Sequence, residues 1–353
     1  MDKIDAIVSK IKPLDAKVME QAQKKLDFLT KPQGSLGRLE GLAKQISGII
    51  GALPKHIKNK VVFTFAADHG VTEEGVSAYP CEVTAQMVYN FLAGGAGINV
   101  LARHVGARVI VADLGVKSKI EDQKSKLKIK KIGPGTKNMV KGPAMTESEA
   151  VKSIEAGVEI FEEELAKGLD IAATGEMGIG NTTAASAIAA VIIGGDIAAV
   201  CGRGTGVDDQ GLNRKVSAIN KAIALNKPDK NNALDVLAKV GGFEIGALAG
   251  VILAAAAHKK PIVIDGFISG SAALIAFGIE PKCRDYMIAG HVGIEPGHGI
   301  ILEHLGLKPL LNLDLRLGEG TGAALAIGII EAAVKILNEM ATFESAGVSE
   351  KNA

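Results

Sequence analysis

The sequence contains no tryptophan, and aromatic side chains make up 3% of its 353 residues. A platform that stacks the bases of single strands needs such side chains, so their scarcity argues against one. An excess of one charge is missing as well. Basic and acidic residues leave a formal net charge of +1, and no long basic run is interleaved with aromatics. Nothing therefore marks nucleic acid as a partner. Cysteine is sparse: Cys81, Cys201 and Cys283 lie far apart, with no CxxC and no Cys–His grouping at zinc-ligand spacing. They read as buried or idle thiols in a reducing compartment. The opening stretch, MDKIDAIVSKIKPLD, lacks the apolar core of a secretory signal. Residues 177–195 carry no charge, which raises the question of a membrane span. Asn181, Thr182, Thr183, Ser186 and several glycines within that run fit a buried loop and helix instead. The expectation is a cytoplasmic protein with no membrane partner.

What the sequence does have is apolar residues, 47% of the total. At this length they suffice for one large core and a smaller appendage. Apolar positions three and four apart (Ile4, Val8, Ile11; then Leu26, Leu29) predict helices over residues 1–50. KPQGSLGRLE interrupts them, and Ser35 is a candidate cap for the helix that follows. VVFTFAADHG is apolar throughout and then polar, the pattern of a buried parallel strand. Further strands are expected at 108–113, 169–175, 260–266, 286–292 and 310–317. Helices are expected around 83–92, over 149–167, from Thr182, over 244–258 and from 323 to about 340. The lysine-rich stretch 117–138 reads as a solvated excursion with a short strand, and the tail from Glu344 as frayed. Strands alternating with helices indicate an α/β fold with a parallel sheet. In such sheets ligands bind beyond the carboxyl ends of the strands. Asp68, His69, Asp113, Glu176, Asp265, His291 and Glu319 all fall at those ends, the residue-level sign of one shared site.

Two glycine-rich turns follow this pattern. TGEMGIGNTT leaves a strand and opens a helix. Its glycines permit close backbone approach, the free amides of a helix start attract phosphate, and Asn181, Thr182 and Thr183 add donors. CGRGTGVDDQGLNRK, with Arg203 and Lys215, is a second candidate. Neither matches the P-loop GxxxxGK(S/T), nor a dinucleotide GxGxxG in its usual context. Tight packing of helix on strand remains the alternative account of the glycines. Glu176 and Glu319 need a separate explanation, because a carboxylate beside a phosphate is repelled. No DxD-like cluster supports Mg²⁺. The carboxylates are either general bases, their pKa raised by burial and nearby negative charge, or helix-capping residues favoured by the dipole. His69, His291 and His298 make no metal-binding pair and read as hydrogen-bonding groups. On residues alone the reading stops at an α/β enzyme that binds a phosphorylated small molecule. A nucleotide-dependent oxidoreductase would require the missing fingerprint. A non-catalytic nucleotide sensor would have no use for Glu319.

Taken in order, KPQGSLGRLE, FAADHGVTEEGVS, GGAGINVLAR, TGEMGIGNTTAASA, GRGTGVDD, DGFISGSAA and LRLGEGTGAALA carry a resemblance. Over about residues 14–340 the chain resembles the nicotinate-nucleotide–dimethylbenzimidazole phosphoribosyltransferase family of the cobalamin lower-ligand pathway. The resemblance implies transfer of 5-phosphoribose from nicotinate mononucleotide to 5,6-dimethylbenzimidazole or a related base. The glycosidic bond would change from β to α, giving α-ribazole 5′-phosphate and nicotinate. It implies that Glu319 is the general base and that Glu176 stabilises positive charge at the ribosyl centre or orients the ribose. Gly178, Asn181 and Thr182 would hold the 5′-phosphate, with Lys215 as counter-charge, and Gly204 and Gly206 would line the nucleotide. Tyr79, Gln86 and Met87 are candidates for the acceptor-base pocket. No metal and no organic cofactor is implied. The implied fold is a Rossmann-like parallel sheet flanked by helices, over about 51–324, with a smaller helical domain from 1–50 plus about 325–353. The implied assembly is a homodimer with the active site near the interface.

Overall fold

The structure is a computed structural model that describes residues 2–121, 126–204 and 206–349. Its central sheet has six parallel strands: β1 (Lys60–Ala67), β2 (Ala107–Gly115), β3 (Lys128–Ile129), β4 (Ile171–Met177), β5 (Ile262–Ile264) and β6 (Met287–Ala289). Their order is β3-β2-β1-β4-β5-β6. The chain builds outward from β1 to β3, then returns to place β4 on the other side of β1. A crevice opens beyond the carboxyl ends where the order reverses, here between β1 and β4.

β1 is buried along its whole length, because both faces of the sheet are covered. Side chains alternate between those faces. Val61, Phe63, Phe65 and Ala67 join one core, with α1 (Asp2–Val8), α6 (Glu147–Leu165), α7 (Asn181–Ile193) and the helices Phe243–Ala257 and Phe267–Ile279. Val62 and Ala66 join the other, with α2 (Ala16–Asp27), α3 (Arg38–Ile50), α4 (Glu82–Ala93), α5 (Gly97–Val105) and the helix Thr321–Glu339. This second core draws the two ends of the chain together: α2 and α3 pack on Thr321–Glu339, and Leu29 bridges to Thr342. α1 lies on the opposite face, against α6 and Phe243–Ala257. Thr321–Glu339 is long and apolar enough to cross a membrane by length and composition. Here it is a core helix, with Ala323, Ala324, Ile327, Ile330 and Leu337 buried.

Several local expectations are corrected. Only Leu311–Asn312 of the stretch 310–317 is a strand, β8, and it pairs in parallel with β7 (His291–Val292) in a separate two-stranded sheet. Asp314 at φ +54° breaks the extended run, and the residues after it form a wall of the site. The stretch 286–292 is divided at Gly290, where a Cβ would lie 3.0 Å from Ala323 Cα. Ser35 does not cap α3. Gly37 precedes that helix at φ +51°, and Glu40 accepts the Leu36 N–H at 3.0 Å while pairing with Lys31 at 2.8 Å. The tail is not simply frayed: Thr342 caps the short helix Phe343–Ala346, and the residues after 349 lie outside the described ones. Within the lysine-rich stretch, Lys128 and Lys130 pair with Glu163 and Glu159 on α6, at 2.6 and 2.9 Å. Residues 122–125 of that stretch lie outside the described ones.

Candidate active site

The LRLGEGTGAALA turn sits on the sheet at the switch point. Glu319 has φ +64°, between Gly318 at +82° and Gly320 at +101°. A left-handed glutamate costs on the order of 1 kcal/mol and persists only where its surroundings fix it. Here they do. Thr64 Oγ1 of β1 donates to the Glu319 carbonyl at 3.0 Å. Gly175 of β4 makes room for that carbonyl, since a Cβ there would lie 2.2 Å from its oxygen. Asp265, just past β5, accepts the N–H groups of Gly320 and Ala323 at 3.3 and 2.9 Å, capping the helix Thr321–Glu339. The Glu319 side chain is thereby held inside the crevice, 3% exposed. Its Oε2 accepts the Ile98 N–H at the start of α5, 3.0 Å away. Burial raises the Glu319 pKa; the Ile98 amide opposes that rise and the Asp265 charge adds to it.

Glu176 lies beneath the same turn, inside the last part of β4 rather than after it. Asn181 Nδ2 and the Glu319 N–H donate to its carboxylate. Gly318 must be glycine-sized here, because a Cβ would lie 2.3 Å from Glu176 Oε1. Burial pushes the Glu176 pKa up to about 8; Asn181 opposes this, while Asp265 and Glu244 add to it.

The two carboxyl groups open into one cavity of about 440 Å³. The glycine loop supplies Gly178, Asn181 and Thr182 to its lining, and a second loop supplies Gly204. Apolar contacts come from Tyr79, Val83 and Met87 around α4 and from Leu315 and Leu317 ahead of Glu319. The cavity therefore combines polar, amide-rich walls with greasy ones, the character of a small-molecule site. Eight of the eleven residues to which the resemblance gives a role meet on it: Tyr79, Met87, Glu176, Gly178, Asn181, Thr182, Gly204 and Glu319.

Three do not. Gln86 points to solvent, one residue out of phase with Met87 on α4. Gly206 is exposed on its loop, away from the lining. Lys215 is fully buried behind the wall, where Nζ donates to Thr182 Oγ1 at 3.0 Å and to Gly202 O at 2.8 Å. Burial lowers its pKa. Conversely, Phe267, Ile268, Glu295 and Arg316 line the cavity without having been singled out. The one signal for Glu295 was its place directly before Pro296, which opens a helix. Of the polar residues at the strand ends, His291 lines the cavity with Glu176 and Glu319, whereas Asp68, His69, Asp113 and Asp265 lie outside its lining.

The histidines are held by partners. His69 Nε2 lies 2.7 Å from Glu244 Oε1, both buried behind the Gly178–Gly180 loop. Burial pushes the His69 pKa down, but the Glu244 carboxylate outweighs it and the net shift is upward. His298 Nδ1 accepts the Gly293 N–H at 2.9 Å, and burial with His291 nearby lowers its pKa to about 3. His291 Nε2 is 3.7 Å from Asp265 Oδ1. Among the described residues, no group of three or more His, Cys, Asp or Glu has an arrangement that could hold a metal ion.

A family model described as "Phosphoribosyltransferase" matches residues 11–348. The nicotinate-nucleotide–dimethylbenzimidazole phosphoribosyltransferase of Desulforudis audaxviator is 59% identical over 350 residues, 99% of either chain. Its counterpart from Geobacter sulfurreducens is 55% identical over 343 residues, 97% of either chain. The crystal structure of the Thermus thermophilus counterpart superposes with a TM-score of 0.90 at 46% identity, covering 96% of this chain and 100% of that one.

Proposed function

We propose, from the premise that the chain belongs to the nicotinate-nucleotide–dimethylbenzimidazole phosphoribosyltransferase family, that it makes α-ribazole 5′-phosphate in the cytoplasm. Its substrates are nicotinate mononucleotide and 5,6-dimethylbenzimidazole or a related base. One azole nitrogen attacks C1′ of the ribose as the C1′–N bond to nicotinate breaks. The pyridinium nitrogen takes the bonding pair and leaves neutral, so its departure needs no acid. The attacking azole would end cationic unless its N–H proton left. Glu319 takes that proton, a contribution of roughly two to four orders of magnitude for a well-placed base.

The observation that carries this reading is the setting of Glu319. Its carboxylate is buried, fixed by Ile98, and adjoins a cavity that also carries Leu315, Leu317, Met87 and Tyr79. A flat apolar heterocycle with one N–H fits such a place. The raised pKa of Glu319 makes it a better proton acceptor. Gly178, Asn181 and Thr182 offer donors to the 5′-phosphate at the start of α7, with the buried Lys215 behind them. Burial raises the Glu176 pKa, and arrival of the cationic pyridinium favours its ionised form, in which it orients the ribose and stabilises positive charge at C1′. The working unit is a homodimer, a reading supported by Tyr79 and Leu317, apolar and 54% and 59% exposed beside the cavity.

Product analysis tests the reaction. The purified chain is incubated with nicotinate mononucleotide and 5,6-dimethylbenzimidazole, and the products are separated and their anomers assigned by proton NMR. The expected result is α-ribazole 5′-phosphate with an equal amount of nicotinate. Absence of any nucleoside product with dimethylbenzimidazole, benzimidazole, adenine or phenol overturns the assignment.

A further inference from the structure

The loop that carries Gly204 contains a conflict of charge. Glu295 directly precedes the helix Pro296–His304 but does not cap it. Its side chain reaches the other loop instead, where Oε1 accepts the Gly204 N–H at 3.0 Å. Its Oε2 is buried and, among the described residues, has no hydrogen-bond partner. Gly202 leaves the space for it, since a Cβ there would lie 1.9 Å from that oxygen. Lys215 holds the same loop: Nζ donates to Gly202 O and to Thr182 Oγ1, both neutral acceptors. The ammonium keeps a third hydrogen for an anion. A Cβ on Gly204 would lie 3.1 Å from Lys215 Nζ and 2.6 Å from Thr182 Oγ1, so the amide, the hydroxyl and the ammonium are close neighbours. Glu295 is a carboxylate whose field acts on Lys215.

An amide N–H, a hydroxyl and a buried ammonium are what a phosphate monoester takes. A carboxylate with one unsatisfied buried oxygen is costly where it stands. It also repels a dianion brought to the same donors. We propose that Glu295 is a placeholder for the donor's 5′-phosphate: its carboxylate holds the Gly204 amide and is displaced from it when the phosphate arrives. Its charge therefore sets how tightly phosphorylated donors bind. This rests on the reading above that the phosphate lies at the start of α7.

Titration calorimetry on the full chain tests it, with D-ribose 5-phosphate as the probe and 5,6-dimethylbenzimidazole as a ligand without phosphate. Glu295→Gln keeps the shape and the acceptor for Gly204 but removes the charge. It is expected to bind ribose 5-phosphate at least about tenfold tighter than the unsubstituted chain, and dimethylbenzimidazole within about twofold of it. Glu295→Ala gains affinity in the same direction and serves where the amide variant does not fold. Lys215→Met, with Thr182→Val as its substitute if it unfolds, binds ribose 5-phosphate at least about tenfold more weakly. If Lys215 matters but neither Glu295 variant gains affinity, the placeholder is overturned and the phosphate site stands. If the Lys215 and Thr182 variants bind ribose 5-phosphate as before, the phosphate site is overturned and the placeholder with it.

Discussion

Glu176 and Glu319 lie under and in one turn, yet they meet different surroundings. Glu176 is enclosed, with Asn181 on one side and the Glu319 amide on the other, and burial takes its pKa to about 8. Its ordinary value is 4.5, so the folded value is raised. Stability from this group is full below about 4.5 and is lost as pH climbs through about 8. Glu176→Gln removes that dependence. Melting curves are expected to show the unsubstituted chain losing at least about 2 °C more than the variant between pH 5 and pH 8.5. Parallel losses contradict the account of Glu176. At this scale the sequence was legible where a charge sat among local breakers, as Glu319 does between Gly318 and Gly320. It was not legible for Glu295, whose partner Gly204 is 91 positions away. Nor did it show that Lys215 would turn inward to Thr182 and Gly202 rather than face the cavity.

The elements were legible wherever both faces were buried. β1 and β4 are apolar runs because each packs on helices above and below, and α6 carries a capping box at Thr146 and Glu149. The stretch 310–317 failed because its apolar alternation serves the cavity, where Leu315 and Leu317 face a ligand space rather than a second strand. Helix packing adds a constraint that no periodicity reveals. α6 crosses Phe243–Ala257 so closely that a Cβ at Gly157 would lie 1.8 Å from the Ala247 carbonyl oxygen. Gly157→Ala is therefore expected to destabilise the chain by about 1–3 kcal/mol in urea unfolding. Gly142→Ala, with nothing within 4 Å of the new Cβ, is the control and is expected to shift stability by less than about 0.5 kcal/mol. Equal effects of the two substitutions would count against the close helix crossing.

For the whole molecule, the strand order places every group of the site at one crevice. The reversal between β1 and β4 brings the end of β4, with Gly175 and Glu176, beside Thr64 and Phe65 of β1, and the turn of Glu319 closes over them. The lysine-rich stretch has a structural use: Lys128 and Lys130 face the acidic side of α6. Their side chains are about a third exposed, so solvent screening leaves little stability in these pairs. The double substitution of Lys128→Ala and Lys130→Ala is expected to keep the transfer rate within about twofold and stability within roughly 1 kcal/mol. A large loss of rate would assign the stretch a role in the reaction. The central claim is that Glu319 is the base, and its most direct test is Glu319→Gln. The amide preserves length and an acceptor for Ile98 while abolishing proton uptake. Single-turnover transfer to 5,6-dimethylbenzimidazole is expected to slow by at least about two orders of magnitude, with the Kd for that base changed by less than about threefold. A Glu319→Gln chain that transfers phosphoribose at the unsubstituted rate would contradict the account.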